Sequence, residues 1–399
     1  MSIFAGLTPM LPDPILGLTE EYNRDPRPGK VSLAAGVFVD ETGITPVLDT
    51  VAEAEARILA AQTTKLYKPV AGDPAYLRPV RDLVFGAGNG TVAEGRVETL
   101  HTPGGTGALR VAADLVYRIR PGATVWLSTP TWPNHPQVFA AAGLQTASYP
   151  YLDASTATLD AVGMLAALRA APAGDAVLLH ACCHNPTGID PTPELWRQIG
   201  DVIAERGLLP LVDFAYQGFG DGLEADAHGL LELIRPGSEL LVASSFSKNF
   251  SLYDERVGAL SLVAATREDA VTLLSHARVA VRANYSSPPA HGGEVVATIL
   301  SDAGLRTRWI AEVTAMRQRI SGNRQLFVDG LRDAGAPDFS RLLQQKGMFS
   351  LLGMSADQVR RLKEDHAVYV VGGGRVNVAG ITQSNLEPAC RAIAAVLAG

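Results

Sequence analysis

Four short stretches carry side chains that could act together, each where an apolar run gives way to a polar loop. In TPGGTGALR (102–110), Gly104 and Gly105 let backbone approach a ligand and Thr106 adds a hydroxyl. The helical run that follows offers unpaired N–H groups and a positive dipole end, which suit a phosphate. No GKS or GKT follows, so this is not an NTP-binding P-loop, although a plain strand-to-helix turn would read the same. In SSFSKNFSLYDERVG (244–258), Lys248 is flanked by Ser245 and Ser247 and followed by Arg256. A lysine amine becomes a nucleophile when desolvation or nearby positive charge lowers its pKa. The hydroxyls and Arg256 could neutralise a phosphate, and the alternative is an ordinary surface lysine.

In VDFAYQGF (212–219), Asp213 closes an apolar run. A carboxylate buried there needs a cationic partner, such as a protonated ring nitrogen, unless it caps a helix. In HACCHNPTG (180–188), Asn185 presents an amide in a turn, where a simple Asx-turn is the competing reading. His180 and His184 are four residues apart, but strand and turn do not bring such a pair onto one metal, so they read as structural and Cys182 and Cys183 as core. As a set the clusters offer a phosphate cup, a reactive amine, an acid for a ring nitrogen and an amide for a ring oxygen. These are the needs of pyridoxal 5′-phosphate (PLP), which requires a Schiff-base lysine and an acidic partner for its pyridinium nitrogen.

The elements that must hold these groups are α/β. The runs 123–130, 175–183, 208–216 and 240–247 read as buried strands ending in polar loops. With the amphipathic stretch 192–207 between two of them, they predict a mostly parallel sheet covered by helices on both faces. Ligands of such sheets bind beyond the carboxyl ends of the strands. Residues 305–335 form a long proline-free helical pattern able to bridge to a smaller α+β unit, made of strands at 347–353 and 367–380 with a helix at 355–366. The run 31–38 is a further strand that could join that unit.

Composition narrows the class. A chain of 399 residues suggests about two domains. With 47% hydrophobic and 19% charged residues, global disorder is excluded. A net charge of −7 lacks the basic footprint of a nucleic-acid binder. Three cysteines give neither a disulfide framework nor metal spacing, and the N-terminus lacks a signal-peptide pattern, so a cytoplasmic protein with no metal and no membrane segment is expected.

SFSKNFSLYDERVG, CCHNPTG, DFAYQGF, TWPNH (131–135), RANYSSPPAHG (282–292) and GRVNVAG (374–380) together resemble the class I aminotransferases. The similarity is nearest to the bacterial aspartate and aromatic amino-acid branch of PLP fold type I, and it runs from DPILGL (13–18) to the last helix. The resemblance implies an N-terminal arm (1–14), a small domain (15–45 and 313–399), and a large PLP-binding domain (46–312). It implies that Lys248 holds the cofactor covalently and shuttles a proton, and that Asp213 pairs with the pyridine nitrogen, backed by His135. Asn185 and Tyr216 would bond the ring's phenolic oxygen and Trp132 would stack on the ring. Gly105, Thr106, Ser245, Ser247 and Arg256 would hold the phosphate, with Tyr67 reaching it from a neighbouring subunit. Arg375 would grip the substrate α-carboxylate, helped by backbone at Gly36, and Arg282 of the neighbour would meet a side-chain carboxylate. A homodimer with shared active sites follows. Gly104 stands where many aspartate-specific relatives carry serine, which predicts one phosphate hydroxyl fewer.

The activity so implied is amino transfer from aromatic and dicarboxylic amino acids to 2-oxoglutarate by a ping-pong mechanism. Arg282 suits the dicarboxylic substrates, while Val39, Leu66 and Ser287 are expected to form an apolar or small wall for aromatic ones. A narrow aspartate enzyme is the alternative, and a PLP lyase or decarboxylase the alternative from another class. A PLP-binding regulator lacks a basic DNA-binding extension here. In VGGGRV (371–376) a strand follows the glycines rather than a helix, against a dinucleotide-binding enzyme.

Overall fold

The computed structural model describes residues 2–10 and 12–399. Strands are numbered β1–β13 in chain order. The main sheet holds β2 (Val97–Pro103), β3 (Thr124–Thr129), β4 (Gln145–Pro150), β7 (Ala176–His180), β8 (Leu209–Phe214), β9 (Leu240–Ser245) and β10 (Val257–Val263). Their spatial order is β2-β10-β9-β8-β7-β3-β4. All neighbours are parallel except β10, which runs antiparallel to both β2 and β9. Strands β7, β9 and β10 are buried at every position, as their near-continuous apolar sequences require when helices cover both faces of a sheet.

Strand register fixes what meets at the carboxyl end. His180 is paired with Asp213 across β7 and β8, and Phe214 with Ser244 across β8 and β9. Because β10 runs the other way, its first residues return to that same end, where Gly258 opposes Ser245 and Val257 opposes Pro103. Arg256, just ahead of β10, is thereby delivered beside the start of the Gly104–Ile119 helix.

Separate apolar clusters pack the two faces of the sheet. Leu109 and Val116 of the Gly104–Ile119 helix meet Leu211, Leu241 and Leu260 on one of them. The larger cluster takes in the helix Ala303–Asp333, whose Leu305, Trp309, Val313, Met316, Ile320, Phe327 and Leu331 recur at helical spacing. Its 31 residues span about 46 Å, long enough to run from the main sheet to the C-terminal helix Gln383–Ala398.

The remaining strands are short. β1 (Val31–Ser32) pairs in parallel with β12 (Val368–Tyr369), β11 (Phe349–Leu351) pairs antiparallel with β13 (Arg375–Asn377), and β5 (Leu152–Asp153) with β6 (Thr158–Leu159) forms a small hairpin. The strand expected over 31–38 therefore covers only its first two residues. Leu33 still exchanges backbone bonds with Tyr369 and Asn377, and beyond it side chains replace the ladder. Asn377 donates to the carbonyls of Ala35 and Val37, Arg375 to that of Ala34, and the Phe38 amide donates to Tyr253 Oη. The strand expected over 367–380 is broken by a turn at Gly372–Gly374, where Gly373 and Gly374 both have φ of 73°. Among the described residues no helix is long and apolar enough to cross a membrane.

Candidate active site

A cavity of about 420 Å³ opens at the carboxyl ends of β7, β8 and β9. Of the residues singled out in the sequence, Gly36, Gly105, Thr106, Trp132, Asn185, Asp213, Tyr216, Ser245, Ser247, Lys248, Arg256 and Arg375 line it. His135 stands behind the wall, fully buried against Asp213. Tyr67 and Arg282 lie outside it and are exposed. Val39, Leu66 and Ser287 do not line it within one protomer either; its apolar lining comes instead from Ile15, Leu16, Leu109, Trp132 and Phe349.

Lys248 follows β9 in a tight loop, and its Nζ lies 5.0 Å from the centroid of the Tyr216 ring. Loss of hydration lowers its pKa to about 8, helped by the charge of Arg256, while Asp213 pulls the other way. The amine is therefore closer to its nucleophilic form near neutrality than an exposed lysine.

Asp213 belongs to a directional chain. The Asn185 backbone N–H, which can only donate, bonds His180 Nδ1 at 3.2 Å. A neutral His180 then carries its proton on Nε2, 3.4 Å from Thr131 Oγ1. The Thr131 hydroxyl is thus free to donate to His135 Nδ1 at 2.8 Å, and His135 Nε2 donates to Asp213 Oδ2 at 3.0 Å. Burial, with His135 beside it, pushes His180 down to about 3, so it stays neutral. Burial alone would raise the Asp213 carboxyl, yet the His135 hydrogen bond, with the charge of Lys248, holds it below the ordinary carboxylate value. A fixed anion results, aimed into the cavity.

The opposite wall is cationic. Arg375 is 2% exposed, donates from Nη1 to Asn185 Oδ1 at 3.2 Å and from Nη2 to the Ala34 carbonyl at 2.8 Å, and stacks 4.2 Å above the Phe349 ring. Burial lowers its pKa to about 10. Among the described residues it has no carboxylate partner, and its Nε is buried without a hydrogen bond. A guanidinium held this way wants a planar anion from solution, since its fork matches a carboxylate. The Asn185 amide also donates to Tyr216 Oη at 3.4 Å, linking the two sides of the site.

At the far end Gly105, Thr106, Ser245, Ser247 and Arg256 surround the start of the Gly104–Ile119 helix. Arg256 Nη1 donates to Ser247 Oγ at 3.3 Å, and Ser245 and Ser247 share a hydrogen bond of 3.3 Å. A Cβ at residue 104 would lie 2.6 Å from Arg256 Nη2, and Gly104 has φ of 70°. The glycine that costs a hydroxyl is what lets the arginine close in. Hydroxyls, helix N–H groups and one guanidinium without an acidic partner among the described residues fit a phosphate monoester. The donor set thus fits PLP end to end: phosphate cup, amine, ring-facing carboxylate and amide.

Sequence reasoning missed Thr131 and Phe349. Thr131 lies within the quoted TWPNH motif, but its part in the chain to Asp213 depends on His180, 49 positions away. Phe349 reads only as an apolar strand residue, and nothing in its neighbours marks it as the platform for Arg375.

Comparison with known proteins agrees with this geometry. A family profile described as aminotransferase class I and II matches residues 28–393. The chain is 52% identical over 396 residues to an aspartate aminotransferase of Escherichia coli, covering 99% of this chain and 100% of the relative. It is 48% identical over 399 residues to an aromatic-amino-acid aminotransferase of Pseudomonas aeruginosa, covering 100% of both. A solved aromatic-amino-acid aminotransferase from Burkholderia pseudomallei, covalently bound to pyridoxal phosphate, superposes with a TM-score of 0.96 at 44% identity, again covering 100% of both chains. With that profile matched over most of its length and curated relatives at about half identity end to end, the chain belongs to the class I and II aminotransferases.

Proposed function

We propose that the protein is a PLP-dependent aminotransferase that takes amino groups from aromatic and dicarboxylic L-amino acids and delivers them to 2-oxoglutarate in two half-reactions. The observation that carries the reading is that one cavity gathers the Lys248 amine, the Asp213 carboxylate and Arg375, whose guanidinium has no carboxylate partner among the described residues. When bound, the cofactor supplies an aldehyde that takes up the amino group and a ring that draws electron density from Cα.

In this reading Lys248 carries the cofactor, then takes the Cα proton as a base and returns it as an acid. Asp213, held by His135, keeps the ring nitrogen protonated, and Trp132 stacks on the ring. Asn185 and Tyr216 bond its phenolic oxygen, while Gly105, Thr106, Ser245, Ser247 and Arg256 bind phosphate. Arg375, with the backbone at Gly36, orients the α-carboxylate so that the Cα–H bond faces the lysine.

Homodimerisation belongs to the same proposal. Tyr67 (94% exposed), Leu66 and Arg282 lie off their own cavity, and Ile3, Phe4, Leu7 and Met10 leave a further apolar surface exposed. A second copy would cover these groups and receive Tyr67 and Arg282 into its site. A small domain of residues 15–45 and 313–399 against a large one of 46–312 is part of the reading, supported by the pairing of β1 with β12. A cytoplasmic setting is supported by three buried, unpaired cysteines.

The 52% relative is named an aspartate aminotransferase and the 48% relative an aromatic one, so narrow aspartate specificity remains the second reading. Borohydride reduction followed by peptide mapping tests the core of the proposal, with the tag expected on Lys248. A single-turnover experiment without amino acceptor adds the reaction type, with one 2-oxo acid expected per site. A tag elsewhere, or release of carbon dioxide or ammonia in its place, would overturn the reading.

A further inference from the structure

Away from the cavity, three metal-ligating side chains converge from three separate elements. Glu55 projects from the helix Asp49–Ala61, Glu255 from the segment ahead of β10, and His291 from the first turn of the helix Ala290–Ser301. Their ligand atoms all lie within 4.8 Å of one another. His291 Nδ1 and Glu255 Oε1 are 2.8 Å apart. Two ligands on one tetrahedral zinc ion, each about 2.05 Å from it, stand about 3.4 Å apart, so small side-chain rotations would bring all three onto a common ion.

Two further observations favour a cation there. Two carboxylates face each other, and among the described residues neither has a lysine or arginine within 4 Å; the only basic partner recorded for either is His291. Two of the anchors also sit beside buried core residues. Val51 and Ala54 bury the face of the helix beside Glu55, and Val257 is fully buried after Glu255. A Cβ at residue 292 would run into Val257 Cγ2 and lie 2.9 Å from Glu255 Cβ, so Gly292 is what lets the turn carrying His291 pack against the Glu255 segment.

We infer that Glu55, Glu255 and His291 form a binding site for a divalent transition-metal ion of the zinc type. One imidazole nitrogen and two carboxylates suit such an ion better than calcium or magnesium, which take oxygen ligands throughout. Three protein ligands leave a position open to water. The site is separate from the cavity, but Glu255 directly precedes Arg256, so an ion there stiffens the segment that delivers Arg256 to the phosphate cup.

The test is a Zn²⁺ titration of metal-stripped holoenzyme by calorimetry, alongside His291→Ala, Glu255→Gln and Glu55→Gln. One saturable site per chain is expected, at least about ten-fold weaker in the His291 and Glu255 variants. Co²⁺ should give visible absorption bands that these two variants lose. Metal-free melting curves and circular dichroism serve as the folding check, since all three side chains lie at the surface or half-buried. Absence of saturable binding would overturn the inference. So would a site of unchanged affinity in all three variants, which would place the ion at other ligands.

Discussion

His135 donates from Nε2 to Asp213 Oδ2 at 3.0 Å, while Thr131 occupies its other nitrogen at 2.8 Å. The imidazole has no freedom of tautomer, so the carboxylate at the base of the cavity is both charged and oriented. A preorganised charge of this kind is worth about two orders of magnitude or more in rate. Asp213→Ala is expected to lower kcat at least about 100-fold, and Thr131→Val, which keeps the anion but loosens its support, by less than about ten-fold. Steady-state kinetics decide it, and near-parental turnover in Asp213→Ala would remove the carboxylate from the mechanism.

Lys248 gives a pH prediction. With its pKa lowered to about 8 by burial, the amine is protonated and unreactive below that pH and neutral above it. At pH 7 roughly one amine in ten is neutral, against roughly one in three thousand for an ordinary lysine. Covalent attachment of PLP to apoenzyme, quenched with borohydride, should therefore accelerate about ten-fold per pH unit and level off near pH 8. An inflection near 10.5, the ordinary lysine value, would mean that the amine is solvated. Lys248→Ala should lose turnover altogether.

Gly104 yields a prediction opposite to the one its missing hydroxyl suggests. Serine there would add a phosphate donor, but its Cβ would lie 2.6 Å from Arg256 Nη2, and φ of 70° disfavours any side chain. The backbone penalty is about 1–2 kcal/mol, and Arg256 must withdraw. Gly104→Ser is thus expected to lower Tm and to weaken PLP retention, measured by titrating apoenzyme with cofactor. Tighter retention would show that the hydroxyl outweighs the guanidinium.

Strands β3, β7, β8 and β9 were legible because each is a near-continuous apolar run, and the long helix 303–333 because its apolar residues recur at helical spacing. Lys248, Asp213 and Asn185 were legible because polar groups at strand ends are placed by any parallel sheet. The meeting of Arg256 with Gly104 was not, since it follows from β10 running antiparallel between β2 and β9, and strand order leaves no local signature. The 31–38 segment misled for a related reason. Its apolar residues are buried as a strand's would be, yet after Leu33 its backbone bonds go to the side chains of Asn377, Arg375 and Tyr253, which lie far off in sequence.

Substrate choice separates the two arginines. Arg375 is buried, without a carboxylate partner among the described residues, and open to the cavity, so in the proposed reaction it would serve the α-carboxylate that every amino acid carries. Arg282 is exposed, stacked one turn before Ser286 with which it bonds, and in the dimer it would serve only a second carboxylate. Arg375→Lys loses the planar fork and should cost kcat/KM about 100-fold for aspartate and phenylalanine alike, or about 2.7 kcal/mol. Arg282→Ala should cost about as much for aspartate and glutamate but leave phenylalanine and tyrosine within about ten-fold. A uniform loss in Arg282→Ala would tie that residue to the fold or the dimer rather than to the side chain. In the parent enzyme, phenylalanine and tyrosine lagging aspartate by more than about 10³-fold would establish the narrow specificity instead, because an apolar wall built for aromatic rings does not discriminate so strongly against them.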